Sequence, residues 1–193
     1  MNQEKMTSKQ QIIYEPSDDS YLLQETLKKY LKNKPKNIKV LDQGSGSGIQ
    51  AISCKNLGFI NVLTSDINLE SLKHLKSLGL NTIKSNLFSN IKGKFNLIIF
   101  NPPYLSEDKN EPRNSRINTT AGKKGYEIII KFLKQARFHL NKNSHILLLF
   151  SSLSQPKIIL REAKILGYHY SLLNKKKLFF EELYVFEFQI PKK

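Results

Sequence analysis

The residues IKVLD (38 to 42) run straight into QGSGSG and then into IQAISCKNLG: an apolar run, a glycine turn and a helix-like stretch in immediate succession. This unit constrains the fold more than any other feature. A strand that leads into a helix cannot pair with its successor as a hairpin, so the chain must cross over and come back parallel. The unit recurs. Gly58 closes the first helical stretch, and INVLTSD (60 to 66) reads as a second strand. NLESLKHLKSLG then places Leu69, Leu72, Leu75 and Leu78 three apart on a helix that Asn68 can cap and Gly79 can end. A weaker third strand follows at Leu80 to Lys84, and KFNLIIFN is apolar enough to be buried on both faces, as a central parallel strand is. Beyond a long polar loop, Leu105 to Lys124, come a helix at about Gly125 to Leu140, the buried strand HILLLFSS, and the helix QPKIILREAKILG with Pro156 near its first turn. YHYSLLN and ELYVFEFQI, split by a segment with three lysines, read as two final strands. The expected class is α/β, an open and mostly parallel sheet with helices on both faces, which binds ligands at the carboxyl ends of its strands.

A length of 193 residues suits one domain, with residues 1–35 as an N-terminal extension and helix. The opening MNQEKMTSKQQ lacks the apolar core of a secretory signal, and no apolar run approaches the roughly 18 residues of a membrane helix. A cytoplasmic setting without membrane contact is expected. The lone Cys54 reads as a core residue of its helix, and His74, His139, His145 and His169 are scattered without ligand spacing, so no metal is expected. Lys and Arg number 31 against 16 Asp and Glu, a formal charge of +15. That excess suits an anionic neighbour such as RNA, a ribosome or an acidic protein, and equally a solvated surface in a chain rich in Lys, Asn and Ile throughout.

The turn LDQGSGSG carries Gly44, Gly46 and Gly48, where missing side chains let a ligand lie against the backbone. The dinucleotide pattern G-x-G-x-x-G would need glycine at position 49, which is Ile49, so pyrophosphate binding is disfavoured. Asp66 ends the second strand about 20 residues after Gly44, the distance at which a carboxylate accepts hydrogen bonds from ribose hydroxyls. Asp42, at the mouth of the loop, repels phosphate and attracts an ammonium group. Ribose, ammonium and close backbone approach together describe S-adenosyl-L-methionine better than NAD or ATP; the plain alternative is a tight turn whose glycines save space.

Behind FNLIIF stands NPPY, Asn101 to Tyr104. Two consecutive prolines remove two backbone donors and fix φ near −65° at both positions. LDQGSGSG, TSDIN and FNPPY in this order resemble the class I S-adenosylmethionine-dependent methyltransferases, and NPPY resembles those that methylate amide or exocyclic nitrogen. YEPSDDSYLL and TAGKKGYEII narrow the resemblance to the short HemK-like release-factor glutamine methyltransferases of archaea and eukaryotes, from about Tyr14 onward. The resemblance implies a Rossmann-like seven-stranded sheet with an antiparallel C-terminal strand. It also implies that Tyr14 and Ser20 flank the cofactor, that Asp42, Gly44 and Gly46 line it, and that Asp66 holds its ribose, with Ile67, Asn86, Leu87 and Asn101 completing the cofactor set. Asn86 stands where the family often has an acid, and Gln43 replaces a smaller or apolar residue; its side chain is expected to point away.

An amide nitrogen is a poor nucleophile because its lone pair is delocalised into the carbonyl. If the Asn101 side-chain oxygen and the Pro102 carbonyl each accept one substrate N–H, they orient the amide and stabilise the charge that grows on it. Pro103 holds the turn rigid, and Tyr104 can lay its ring over the amide plane. The expected reaction is N5-methylation of the glutamine in the Gly-Gly-Gln tip of a peptide-chain release factor. The alternatives are N6-adenine methylation of RNA or DNA, whose exocyclic amine offers the same flat donor pair, and a protein of this fold that binds without catalysis. Residues 105–124 are expected to face the substrate, with Arg113, Arg116, Lys123 and Lys124 facing an acidic or RNA-bound target or simply solvent. The resemblance further implies a heterodimer with a small zinc-binding activator protein along the edge strand at Leu80 to Lys84.

Overall fold

The computed structural model describes residues 13–104 and 124–191. The substrate-facing expectation for residues 105–123, including Arg113, Arg116 and Lys123, and the start of the expected N-terminal extension, residues 1–12, lie outside these. Seven strands form one sheet: β1 (Lys39–Gln43), β2 (Asn61–Asp66), β3 (Asn81–Lys84), β4 (Phe95–Phe100), β5 (Leu140–Ser151), β6 (His169–Lys177) and β7 (Glu182–Gln189), in the order β3-β2-β1-β4-β5-β7-β6. β1 through β5 pair in parallel, and β7 runs antiparallel to both β5 and β6. The helices are α1 (Asp18–Leu31), α2 (Ile49–Asn56), α3 (Leu69–Ser77), α4 (Glu127–Ala136) and α5 (Pro156–Ile165).

The sheet separates two apolar layers. On one face Leu23, Leu27 and Leu31 of α1, Ala51 and Cys54 of α2, and Leu75 of α3 pack on Val40, Leu97, Ile99, Leu147 and Val185. On the other, Ile129, Phe132 and Leu133 of α4 and Ile159 and Ala163 of α5 pack on Leu41, Ile98, Ile146, Leu148 and Phe188. Strands between two layers have no polar side, which is why β4 and β5 read as continuous apolar runs. The chain leaves β1 toward β2 in one direction and resumes at β4 on β1's other side. This reversal opens a crevice at the carboxyl ends of β1 and β4.

Several boundaries differ from the sequence expectation. α4 stops at Ala136, a single 3₁₀ turn covers Arg137–His139, and β5 begins at Leu140 because that residue already pairs with Phe95. The three lysines Lys175, Lys176 and Lys177 belong to β6, pairing with Tyr184, Leu183 and Glu182. Of the four leucines, Leu72 and Leu75 are buried, whereas Leu69 and Leu78 are exposed. A step of three residues falls 60° short of a full turn at 100° per residue. Four leucines so spaced spread over half the helix, and only the middle two meet the core. Asn68 does cap α3, its side chain accepting from Glu70 N–H at 2.9 Å.

Candidate active site

The crevice is a cavity of about 560 Å³. Every residue expected at the cofactor and catalytic positions borders it: Tyr14 and Ser20 at the α1 side, and Asp42, Gly44 and Gly46 at the end of β1. Asp66 and Ile67 follow β2, Asn86 and Leu87 follow β3, and Asn101, Pro102, Pro103 and Tyr104 follow β4. The sheet brings together segments that are far apart in sequence because all of them leave carboxyl ends of parallel strands or, for Tyr14 and Ser20, the start of α1.

The glycine turn is a connector between two acids. Gly46 adopts φ of +51°, and its N–H donates to Asp66 Oδ2 at 2.8 Å while Asn68 N–H donates to Asp66 Oδ1 at 2.8 Å. Gly48 has φ of +81°, and a Cβ there would stand 2.8 Å from Leu75 Cδ2. The next turn is α2, whose Ala51 N–H donates to Asp42 Oδ2 at 3.2 Å. Burial pushes the Asp42 carboxyl up to about 7, with the charge of Asp66 adding to the effect and the Ala51 N–H opposing it. Asp66 is likewise raised by burial, against the backbone donors that hold it. Two buried carboxyls whose charged forms are disfavoured by their own isolation favour a cationic or donor-rich ligand.

The Asn-Pro-Pro-Tyr end of the cavity turns on a residue the sequence reading did not select. Asp19, 3 % exposed, receives Tyr14 Oη at 3.0 and 3.1 Å, Ser17 Oγ at 2.9 Å, the N–H and Oγ of Ser20, and Asn101 Nδ2 at 3.0 Å. A carboxylate only accepts, so the nitrogen end of the Asn101 amide must face it. Asn101 Oδ1 is then the free end, buried and without a hydrogen-bond partner among the described residues. Tyr14 is pushed up to about 12 by burial, and Tyr104 is raised too, first by burial and then by the Asp19 charge. Both phenols therefore remain neutral donors at physiological pH. The Tyr104 carbonyl accepts from Ser154 Oγ at 2.9 Å, which ties the turn after β4 to the end of β5.

Two glutamines add to the set. Gln43, whose side chain is expected from the sequence to lie clear of the ligand, is 3 % exposed and borders the cavity beside Phe100, its neighbour in β4. Gln50, in the first turn of α2, donates from Nε2 to the Ser20 carbonyl at 2.9 Å and also borders the cavity. The Oε1 atoms of both are buried without a partner among the described residues. Asn86 is exposed at the rim.

A parallel sheet reversing at β1 and β4, a glycine turn braced by the acid ending β2, and Asn-Pro-Pro-Tyr at the tip of β4 define a class I methyltransferase architecture. The chain belongs to the methyltransferase small domain family, whose model matches residues 17–178. It is 35% identical over 183 residues, 90% of this chain and 89% of the relative, to a Methanocaldococcus jannaschii protein provisionally named protein N5-glutamine methyltransferase. It is 37% identical over 124 residues to the release factor glutamine methyltransferase of Borreliella burgdorferi, spanning 57% of this chain but 43% of that relative. Among solved structures, the E. cuniculi Mtq2–Trm112 complex, responsible for the methylation of the translation termination factor eRF1, superposes with a TM-score of 0.72. It does so at 24% identity over 92% of this chain and 98% of that one, a likeness of fold.

Proposed function

We propose that this chain methylates the side-chain amide nitrogen of a glutamine, N5, in the Gly-Gly-Gln tip of a peptide-chain release factor, with S-adenosyl-L-methionine as donor. The observation that carries this reading is the Asn101 amide, held by Asp19 so that a single buried acceptor is left over at the tip of β4. A primary amide brings two N–H donors in one plane, and Asn101 Oδ1 with the Pro102 carbonyl offers two acceptors. Pinning both hydrogens fixes the plane of the amide and favours the charge that develops on its nitrogen during attack. Pro102 and Pro103 place no backbone donor beside those acceptors. The methylated nitrogen sheds its extra proton readily, so no strong base is required of the chain, and positioning carries the chemistry.

The donor set fits the cofactor. When bound, S-adenosyl-L-methionine supplies an electrophilic methyl group on a sulfonium. Its ammonium, ribose hydroxyls and adenine amine are hydrogen-bond donors, and the cavity is lined by acceptors. Asp42 holds the ammonium, Asp66 the ribose, and Ile67, Asn86 and Leu87 border the adenine; Gly44 and Gly46 permit close approach, with Tyr14 and Ser20 flanking. The β3 edge, Asn81–Lys84, receives the small zinc-binding activator. The test is incubation of the chain, with and without that activator, with isotopically labelled donor and either release factor or RNA, followed by mass spectrometry. Label on the glutamine of the Gly-Gly-Gln tip is expected; label on adenine or lysine alone overturns the reading.

A further inference from the structure

We propose that the tip of the β6–β7 hairpin, Phe179 and Phe180, docks the folded body of the protein whose glutamine enters the cavity, a partner surface that is apolar and rimmed by carboxylates. The proposal rests on the glutamine reading above. These are the most exposed large apolar side chains among the described residues, at 92 % and 85 %, and their rings stack edge to face, 4.6 Å apart at 81°. Contiguous exposed apolar surface of this kind marks interaction sites.

The hairpin is built as a fixed support. Leu178 N–H donates to the Glu181 carbonyl at 2.8 Å across the turn, and Leu178 packs, with Tyr104, against the apolar layer under α1. Lys176 pairs with Asp18 at 2.8 Å, the residue beside the Asp19 that holds Asn101, and Glu182 N–H donates to Ser152 Oγ at 3.0 Å. β7 starts opposite Ser151, the carboxyl end of β5, so the tip stands at the same end of the sheet as the cavity. The Glu181 carboxylate acts electrostatically on both Tyr14 and Tyr104. A glutamine side chain is short. The backbone that carries one into the cavity must cross its mouth, and the remainder of that domain must rest on the rim.

The chemistry of the rim selects the occupant. Lys177 precedes the aromatic pair by two positions, in a chain of net charge +15, which favours acidic surroundings in the partner. Single-stranded nucleic acid is served less well, because rings set edge to face do not offer parallel stacking platforms. Lys175 is moreover paired with Glu182 at 3.0 Å and Lys176 with Asp18, so two of the three lysines leading into the tip are engaged within this chain and do not form a continuous track for a phosphate backbone.

The test is the double variant F179S/F180S, compared with wild type on intact release factor and on a short peptide with the same Gly-Gly-Gln loop, together with calorimetric binding of S-adenosyl-L-methionine. The expected result is a KM for intact factor raised about tenfold or more at unchanged kcat, with peptide kinetics and cofactor affinity as in wild type. An unchanged KM for intact factor overturns the proposal, as does an equal loss on the peptide. So does a variant that loses only binding to RNA or to lipid vesicles. A wild type that, with the activator present in every assay, methylates neither substrate refutes the glutamine reading itself, and the docking role with it.

Discussion

Because Asp19 only accepts, it decides which end of the Asn101 amide is left over. Replacing it by Asn removes that selection: Asn101 can then turn its NH2 toward the substrate, where a donor faces a donor. D19N should lower kcat about 100-fold. The double exchange D19N/N101D restores an acceptor-only group at position 101 and should recover at least about tenfold over D19N, a rescue that simple loss of packing would not permit. Steady-state kinetics of the three variants decide it. Asp42 makes a second prediction through its proton. Its folded pKa, about 7, lies above the ordinary aspartate value of 3.8, so the fold favours the protonated form. That contribution to stability is fully present below pH 3.8 and is lost as pH rises through 7. D42N should therefore stabilise the ligand-free protein at pH 8, by on the order of 3 kcal/mol in a urea titration. A bound ammonium reverses the preference, so cofactor affinity in wild type should tighten from pH 6 to pH 8 with proton release, and in D42N be weak and nearly flat; calorimetry in buffers of differing ionisation enthalpy reads both. Asp42, Asp66 and the glycines were legible in the sequence because the strand–turn–helix unit fixes their spacing locally. Asp19 was not. Its contact with Asn101 spans 82 positions, and an acid at the start of a helix has the ordinary explanation of the helix dipole.

At the scale of elements, the turn between β1 and α2 is the least replaceable piece of the scaffold. Gly48 combines a left-handed φ of +81° with a Cβ position 2.8 Å from Leu75 Cδ2, whereas Gly58, at φ +87°, has nothing within 4 Å of the same point. G58A should cost about 1 kcal/mol, the backbone term alone, and G48A about 2 to 4 kcal/mol, because the buried Leu75 side chain must also shift. Thermal melts of the two variants separate backbone strain from packing, and equal losses would mean that Leu75 yields freely. Strand and helix identities were readable because burial on both faces and helical spacing leave plain patterns. Their ends were less so: β5 begins five residues before the run HILLLFSS because of a pairing with Phe95, and Lys175 to Lys177 join β6 through their partners in β7. Long-range pairing overrides local composition in each case.

The sheet as a whole has two unequal edges. β6 is nine residues long, nearly all exposed, and it guards its open side with Lys175, Lys176 and Lys177 and with a register shift between Leu172 and Asn174. Lysines and bulges are how an edge avoids pairing with another chain. β3 is four residues long, holds one lysine, Lys84, and keeps regular register with β2 throughout. An added strand therefore meets less resistance at β3, and the exposed Ile67 nearby, at 48 %, offers apolar contact beside the cavity. A partner on this edge would brace Asp66 through Ser85, whose N–H donates to the Asp66 carbonyl at 2.9 Å, linking assembly to the cofactor end of the site. Addition of the small zinc-binding activator should slow amide hydrogen exchange across residues 81–84 by about tenfold or more and leave β6 unchanged. Mass spectrometry of peptic fragments reads both edges in one experiment, and protection that falls on residues 169–177 in place of 81–84 would put the partner on the wrong side of the sheet for this coupling.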